Sequence, residues 1–231
     1  MPITTTTDIA ALARLRLLHL VSPSLPTGAF AYSQGLEWTV ECGWVATEAA
    51  LGDWLSAQLQ GTLSHLDLPV LQRMQRACAR ADLATLEYWV DYLVAGRETA
   101  ELRAEEQQRG RALTQLLAAL ALEPDARWAP MVARSQLAGF AYAANIWAIP
   151  QPEAMTGYAW SWLENQVLAG VKLIPLGQSA GQRVLLELAA AIPAMVAYAA
   201  ALEDDDLGGS APAATLASCH HETQYTRLFR S

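Results

Sequence analysis

Apolar residues recur at helical spacing along most of the chain, in blocks separated by Pro, Gly, Asp or Thr. The pattern predicts a first helix over 8–21, opened by Asp8 and stopped by Ser22-Pro23-Ser24-Leu25-Pro26-Thr27-Gly28. A second spans 31–42 and ends at Gly43. A third, capped by Thr47, runs over 47–66, where Asp67-Leu68-Pro69 restarts the chain. Asp82 opens a helix that ends near Gly96, and 97–122 reads as one long helix, charged in its first half and built of Leu and Ala in its second. Helices over 131–147 and 153–173 follow, set off by Pro124, Pro130, Pro150 and Pro152. After the turn Ile174-Pro175-Leu176-Gly177 comes helical sequence over 178–202. Pro193 should split or kink it, because an interior proline removes a hydrogen bond at a cost of roughly 3 kcal/mol.

Beyond residue 202 the pattern changes. Residues 203–218 are acidic, small or turn-forming and offer little apolar area to offset chain ordering, so they read as an acidic flexible linker. Residues 219–231 regain aromatics and arginines. Tyr225, Leu228 and Phe229 lie at helical spacing beside Arg227 and Arg230, which suits either a partner-docking peptide or a strap folding back on its own domain. The organisation is therefore 1–202 as a helical domain, 203–218 as linker and 219–231 as tail, with no internal repeat.

Composition sharpens the fold class. The 231 residues are 53% hydrophobic and 16% charged, and they include 44 Ala and 35 Leu against 11 Val and 6 Ile. Strands favour β-branched residues and helices favour Ala and Leu, so the fold is expected to be all-α, a single-domain bundle of about eight to ten helices. The net charge is −8, with four acidic residues in the run 203–206, and Lys172 is the only lysine. A chain without a basic face is not built to bind nucleic acid. Three widely spaced cysteines, Cys42, Cys78 and Cys219, make no disulfide framework and fit a reducing cytoplasm. The N-terminal stretch 1–8 has neither a basic start nor an apolar core, so no secretory signal is expected. Residues 184–202 approach the length of a membrane span. They contain Glu187 and Pro193 and are mostly alanine, which points to a buried or interface helix and not a membrane span.

Candidate chemistry is sparse. Ala31-Tyr32-Ser33-Gln34-Gly35 falls one residue short of a nucleophile elbow and follows no strand, so Ser33 reads as a polar contact at a helix start. Gly177-Gln178-Ser179-Ala180-Gly181 lacks the lysine of a phosphate-binding loop. The charges over 97–111 pair Arg97 with Glu101 and Glu105 with Arg109 at i, i+4, ordinarily a solvated face. Cys219-His220-His221-Glu222 is the densest set of metal-ligand types, yet adjacent ligands do not easily converge on one ion. His19 and His65 are single residues on helices. No catalytic residue, metal ligand or cofactor is assigned.

Five blocks together are more specific. They are Leu25-Pro26-Thr27-Gly28-Ala29-Phe30-Ala31-Tyr32-Ser33-Gln34-Gly35-Leu36-Glu37; Arg97-Glu98-Thr99 with Glu105-Glu106; Ser135-Gln136-Leu137-Ala138-Gly139; Val171-Lys172-Leu173-Ile174-Pro175-Leu176-Gly177-Gln178; and His221-Glu222-Thr223-Gln224-Tyr225-Thr226-Arg227-Leu228-Phe229-Arg230-Ser231. In content and order they resemble the UreF family of urease accessory proteins, across nearly the whole chain. The resemblance implies a non-enzymatic homodimeric scaffold that bridges UreD (UreH in some organisms) and the GTPase UreG and serves nickel insertion into apo-urease. It implies partner contacts at Glu37 and Lys172 on the UreG-facing side, with Gln178 in the same block as Lys172. It places Glu222, Tyr225, Arg227, Phe229 and Arg230 in the docking tail, Arg227 or Arg230 matching an arginine needed for assembly. An internal passage for nickel is a further expectation from the family. Two other readings stay open: regulation of UreG hydrolysis through Arg183, Arg227 or Arg230, and direct nickel carriage by Cys219, His220 and His221.

Overall fold

The computed structural model describes residues 6–231, with side chains from Asp8 onward; most of the stretch read for a secretory signal lies outside the described residues. The first helix, α1 (Thr6–Leu20), already contains Asp8 in its first turn, so Asp8 does not precede it as a cap. The expected second helix is broken: a 3-10 turn at Ala29–Ala31 and an irregular bend precede α2 (Leu36–Glu41). Thr47 caps α3 (Glu48–Gln58) by accepting from Ala50 N.

No break follows at Pro69. The chain continues through a π-helical stretch, Leu59–Asp67, into α4 (Leu68–Ala79). Proline has no N–H to give to the turn before it. The carbonyl of His65, four residues back, instead accepts from Gly208 N at 3.0 Å.

Asp82 caps α5 (Leu83–Gly96) and Thr99 caps α6 (Ala100–Ala119). The single helix expected over 131–147 is divided into α7 (Ala129–Arg134) and α8 (Gln136–Ile146), because Ser135 turns extended and its hydroxyl accepts from Leu137 N and Ala138 N. Then come α9 (Gln151–Leu173), α10 (Gln178–Ala189), α11 (Ile192–Ala201) and α12 (Pro212–His221). Pro193 sits in the first turn of α11, where a missing N–H costs nothing, and the expected split falls just before it. The apolar stretch 178–201 is thus two helices packed on α9.

The fold is all-α, with no strand among the described residues. Helices α4, α6, α8 and α9 form the centre, around Leu68, Leu71, Met74, Leu137 and Met155, all essentially inaccessible. The stretch expected as a flexible linker carries regular structure. Asp204–Asp206 forms a 3-10 turn, and the boundary drawn after residue 218 falls inside α12. Ala217 is buried in the core, Leu207 and Ala214 pack against it, and polar ties hold the start of the stretch. Arg73, stacked over Trp89, bonds Asp204 at 2.6 Å and Leu202 O at 2.8 Å, and Tyr92 donates to Leu207 O at 2.9 Å.

Candidate protein-interaction site

Three of the other four sequence blocks meet the tail block around residues 222–231, and the block at 135–139 lies deeper, bonded to Glu106. The bend at 32–35 is the anchor. Gln34 and Gly35 both have left-handed backbone (φ 54° and 85°), which turns the amides of Ser33 and Gln34 toward one point. Ser231 O occupies that point, accepting from Ser33 N at 2.7 Å, Gln34 N at 3.0 Å and Ser33 Oγ at 2.6 Å. Arg230 N donates to Ala31 O at 2.8 Å. The Ser33 hydroxyl is therefore spent on the tail. Gly35 is also where α12 comes closest: a Cβ there would lie 2.8 Å from Ser218 N.

One turn further on, Glu37 holds the tail from the other side. Its two carboxylate oxygens accept from Leu228 N at 2.6 Å and Phe229 N at 2.9 Å, and His221 Nε2 lies 3.2 Å away. His221 is fully buried, and its Nδ1 sits 2.7 Å from Glu101, whose other oxygen accepts from Arg227 at 2.7 Å. Glu222 accepts from Ala100 N at 2.8 Å, placing a negative charge at the N-terminus of α6, where the helix dipole favours it. Thr99 and Ser218 join their hydroxyls at 2.8 Å.

Beneath the tail lies a buried ionic centre. Arg97 reaches Asp67 at 2.8 Å and Glu106 at 2.9 Å, so its charge is not on the solvated face expected from the i, i+4 pattern. Its N–H groups are aligned on Glu106, which also accepts from Ser135 Oγ and Leu137 N. Asp67 Oδ1 is paired by charge but receives no hydrogen bond. Burial pushes the Asp67 carboxyl up to about 6, with Arg97 pulling only part of the way back and Glu106 adding to the rise. Burial acts the same way on Glu106, but the Arg97 charge and the bonds from Ser135 and Leu137 outweigh it and hold this carboxyl below the usual range. Gln34 bridges to Glu105 and accepts from Trp162 Nε1 at 2.8 Å.

A cavity of about 40 Å³ is walled by Gln34, Asp67, Arg97, Glu106, Gln136 and Tyr158 among others. A second of about 40 Å³, near Arg109 and Phe140, shares Gln136 and Tyr158 with the first. These two side chains are joined by a 3.3 Å hydrogen bond.

Of the eight residues expected at partner contacts, two face inward. Glu37 is 7% exposed and Phe229 6%, while Lys172, Gln178, Glu222, Tyr225, Arg227 and Arg230 are exposed. The helical spacing of Tyr225, Leu228 and Phe229 does not produce a helix. After α12 the chain is irregular, with Phe229 inside and Tyr225 and Leu228 outside. Lys172, in the last turn of α9, lies 6.0 Å from the Phe30 ring centre and 5.8 Å from that of Phe229. Gln178 begins α10.

The terminal Cys-His-His set does not converge. His220 stacks on Trp38 at 4.5 Å, His221 is enclosed by carboxylates, and Cys219 is exposed. No group of three or more His, Cys, Asp or Glu side chains placed to hold a metal is present among the described residues. Arg183 is paired with Glu48. Asp67, Tyr158 and the inward role of His221 are the features sequence reading missed. Asp67 looked like a helix-restarting residue before Pro69, and no local signal marks a carboxylate whose partner lies on another helix.

Residues 45–189 match the UreF family model. A protein of Alcanivorax borkumensis called urease accessory protein UreF is 50% identical over 228 residues, spanning 95% of this chain and 98% of the relative. Proteins of the same name from Pseudomonas entomophila (50% over 220 residues, 95% and 98%) and Citrobacter koseri (46% over 218 residues, 94% and 97%) are similar over the same extent.

Proposed function

The chain belongs to the UreF family, and from that premise we propose that it is a urease accessory protein, a scaffold without an active site of its own. It joins UreD (or UreH) to the GTPase UreG in the cytoplasm so that nickel reaches apo-urease within protein. The observation that carries this reading is the convergence of the blocks at 25–37, 97–106 and 171–178 on the tail block at 221–231. The tail is bound across α2 and α6, and Lys172, Arg227, Arg230, Tyr225 and Leu228 are left facing outward. An acidic chain that gathers cations and exposed apolar side chains there has the mixed character of a protein interface.

Two further features support the finer parts of the reading. Two small cavities that share Gln136 and Tyr158, the first also walled by Asp67, Glu105 and Glu106, support an internal route for a cation. An apolar groove of about 410 Å³ between α1 and α9, lined by Leu17, Leu18, Val21, Pro152 and Trp160, suits the second copy of a homodimer.

The test is capture of UreD and UreG by the full chain and by an Arg227→Ala/Leu228→Ala/Arg230→Ala variant. Loss of either partner from a folded variant supports the reading. Undiminished capture of both removes the tail from the interface.

A further inference from the structure

Glu37 and Lys172 are both expected at partner contacts, yet the fold treats them differently. Lys172 is exposed and makes no ion pair among the described residues; only the Phe30 and Phe229 rings lie near its ammonium. Glu37 is 7% exposed, and both oxygens are occupied by tail amides and by His221. Three of the roughly four lone-pair directions of this carboxylate are thus taken, and its burial leaves little of it to an incoming protein.

We infer that Glu37 is a positioning residue: it fixes the backbone at Leu228 and Phe229, so that the Phe229 ring supports Lys172 and the Leu228 side chain points outward, and it does not itself meet the partner. The chain of contacts is continuous. Glu37 Oε2 accepts from Phe229 N at 2.9 Å, the Phe229 ring is buried, and its centre lies 5.8 Å from Lys172 Nζ. On the other oxygen, Leu228 N is held at 2.6 Å while the Leu228 side chain stays 67% exposed. His221 completes the arrangement by tying Glu37 to Glu101, which holds Arg227. Bonds from amides to an ionised acceptor are stronger than neutral ones, and two on one carboxylate set both position and direction.

The inference rests on the proposed function only for the identity of the partner, and its deciding measurement needs no partner. Amide hydrogen exchange is followed in the full-length protein alone, in wild type and in Glu37→Gln, whose side chain offers one acceptor oxygen for two amides. Protection at Leu228 and Phe229 is expected to fall by about tenfold or more, with the amides of α4 unchanged. Unchanged protection at both amides overturns the inference.

Capture of UreG then separates direct from indirect action. If Glu37 works through the Lys172 platform and the Leu228 side chain, Glu37→Gln adds little to the loss caused by Lys172→Ala combined with Leu228→Ala. If the two losses multiply, Glu37 is an independent contact and the inference fails. Should Glu37→Gln loosen α4 as well, Leu228→Pro replaces it. That variant deletes an amide held by Glu37 while keeping the carboxylate, and it is expected to weaken capture beyond the loss that Leu228→Ala causes by removing the side chain alone. Capture by Leu228→Pro no weaker than by Leu228→Ala is the contrary result. Failure of wild type to capture UreG, by contrast, counts against the proposed function and leaves the exchange result standing.

Discussion

Glu37 and His221 are 184 positions apart in the chain and 3.2 Å apart in the fold. Between them they close a path from α2 through α12 to α6, because the other ring nitrogen of His221 meets Glu101 at 2.7 Å. Ionised carboxylates only accept, so both bonds form together when the ring carries a proton on each nitrogen. Buried polar chains of this kind rigidify a structure when every member is paired and weaken it when one is missing. Replacing His221 with Ala leaves two carboxylates facing an empty space. We expect residues 222–231 to become protease-sensitive, at a local cost of about 1–3 kcal/mol, while the helical core keeps its circular dichroism. Equal cleavage rates for variant and wild type would count against this role.

Gly35 supports the same path through backbone shape. Its φ is 85°, and a Cβ would stand 2.8 Å from Ser218 N, a backbone atom that cannot swing aside. Gly35→Ala should therefore force α12 off α2 and cost at least 1–3 kcal/mol. Gly43→Ala is the comparison: it has φ 81° but open space around the new methyl, and it should be milder. Urea midpoints of the two variants rank them.

Asp67 makes the stability depend on pH in an unusual direction for a carboxylate. Its folded value is about 6 against 3.8 unfolded, so between these values the folded chain binds more protons than the unfolded one. Stability then falls as pH rises through this window, by about 3 kcal/mol from this group at about 1.4 kcal/mol per unit. Asp67→Asn should flatten that part of the curve and be more stable than wild type at pH 7, with Arg97 still paired to Glu106. Urea unfolding at a series of pH values measures it; parallel curves for the two proteins would refute the assignment.

Leu18, in the groove between α1 and α9, is 65% exposed, and Leu15 on the same helix is 62% exposed. If a second copy covers them, Leu18→Glu should convert a dimer to a monomer in light scattering, with helical circular dichroism unchanged and an unfolding midpoint that no longer depends on protein concentration. A dimer that persists unchanged places the interface elsewhere.

Thiol chemistry offers a simple check of the fold. Cys42 and Cys219 are exposed, whereas Cys78 is buried and its thiol is pushed up to about 12 by burial. Two thiols should react promptly with a water-soluble reagent and the third only after denaturation. Rapid reaction of all three would mean that α4 is not packed as described.

Much of the helical plan was legible because its causes are local. Thr47 and Asp82 cap helices as their side chains predict, and Pro193 divides the last long apolar stretch. The family blocks were also legible, but not their meeting point. The errors came where a distant partner overrode the local signal. The stretch at 203–218 is acidic and small, as a linker would be, yet Arg73 holds Asp204 from α4 and Tyr92 holds Leu207 from α5. The spacing of Tyr225, Leu228 and Phe229 suits a helix, yet Glu37 takes the amides that a helix would need to bond within itself.

Local sequence was enough to make this protein all-α, to set where most helices begin and end, and to align its blocks with a family. Composition, capping and periodicity act within a few residues and do not wait for the rest of the chain. Tertiary structure alone decided that Glu37 faces inward while Lys172 faces outward, that Arg97 is buried between Asp67 and Glu106, and that the tail lies across α2 and α6. Whether a charged or polar group is buried depends on what meets it from elsewhere in the fold. A carboxylate can leave water only where amides, a guanidinium or an imidazole come to it, and those partners lie on helices far away in sequence.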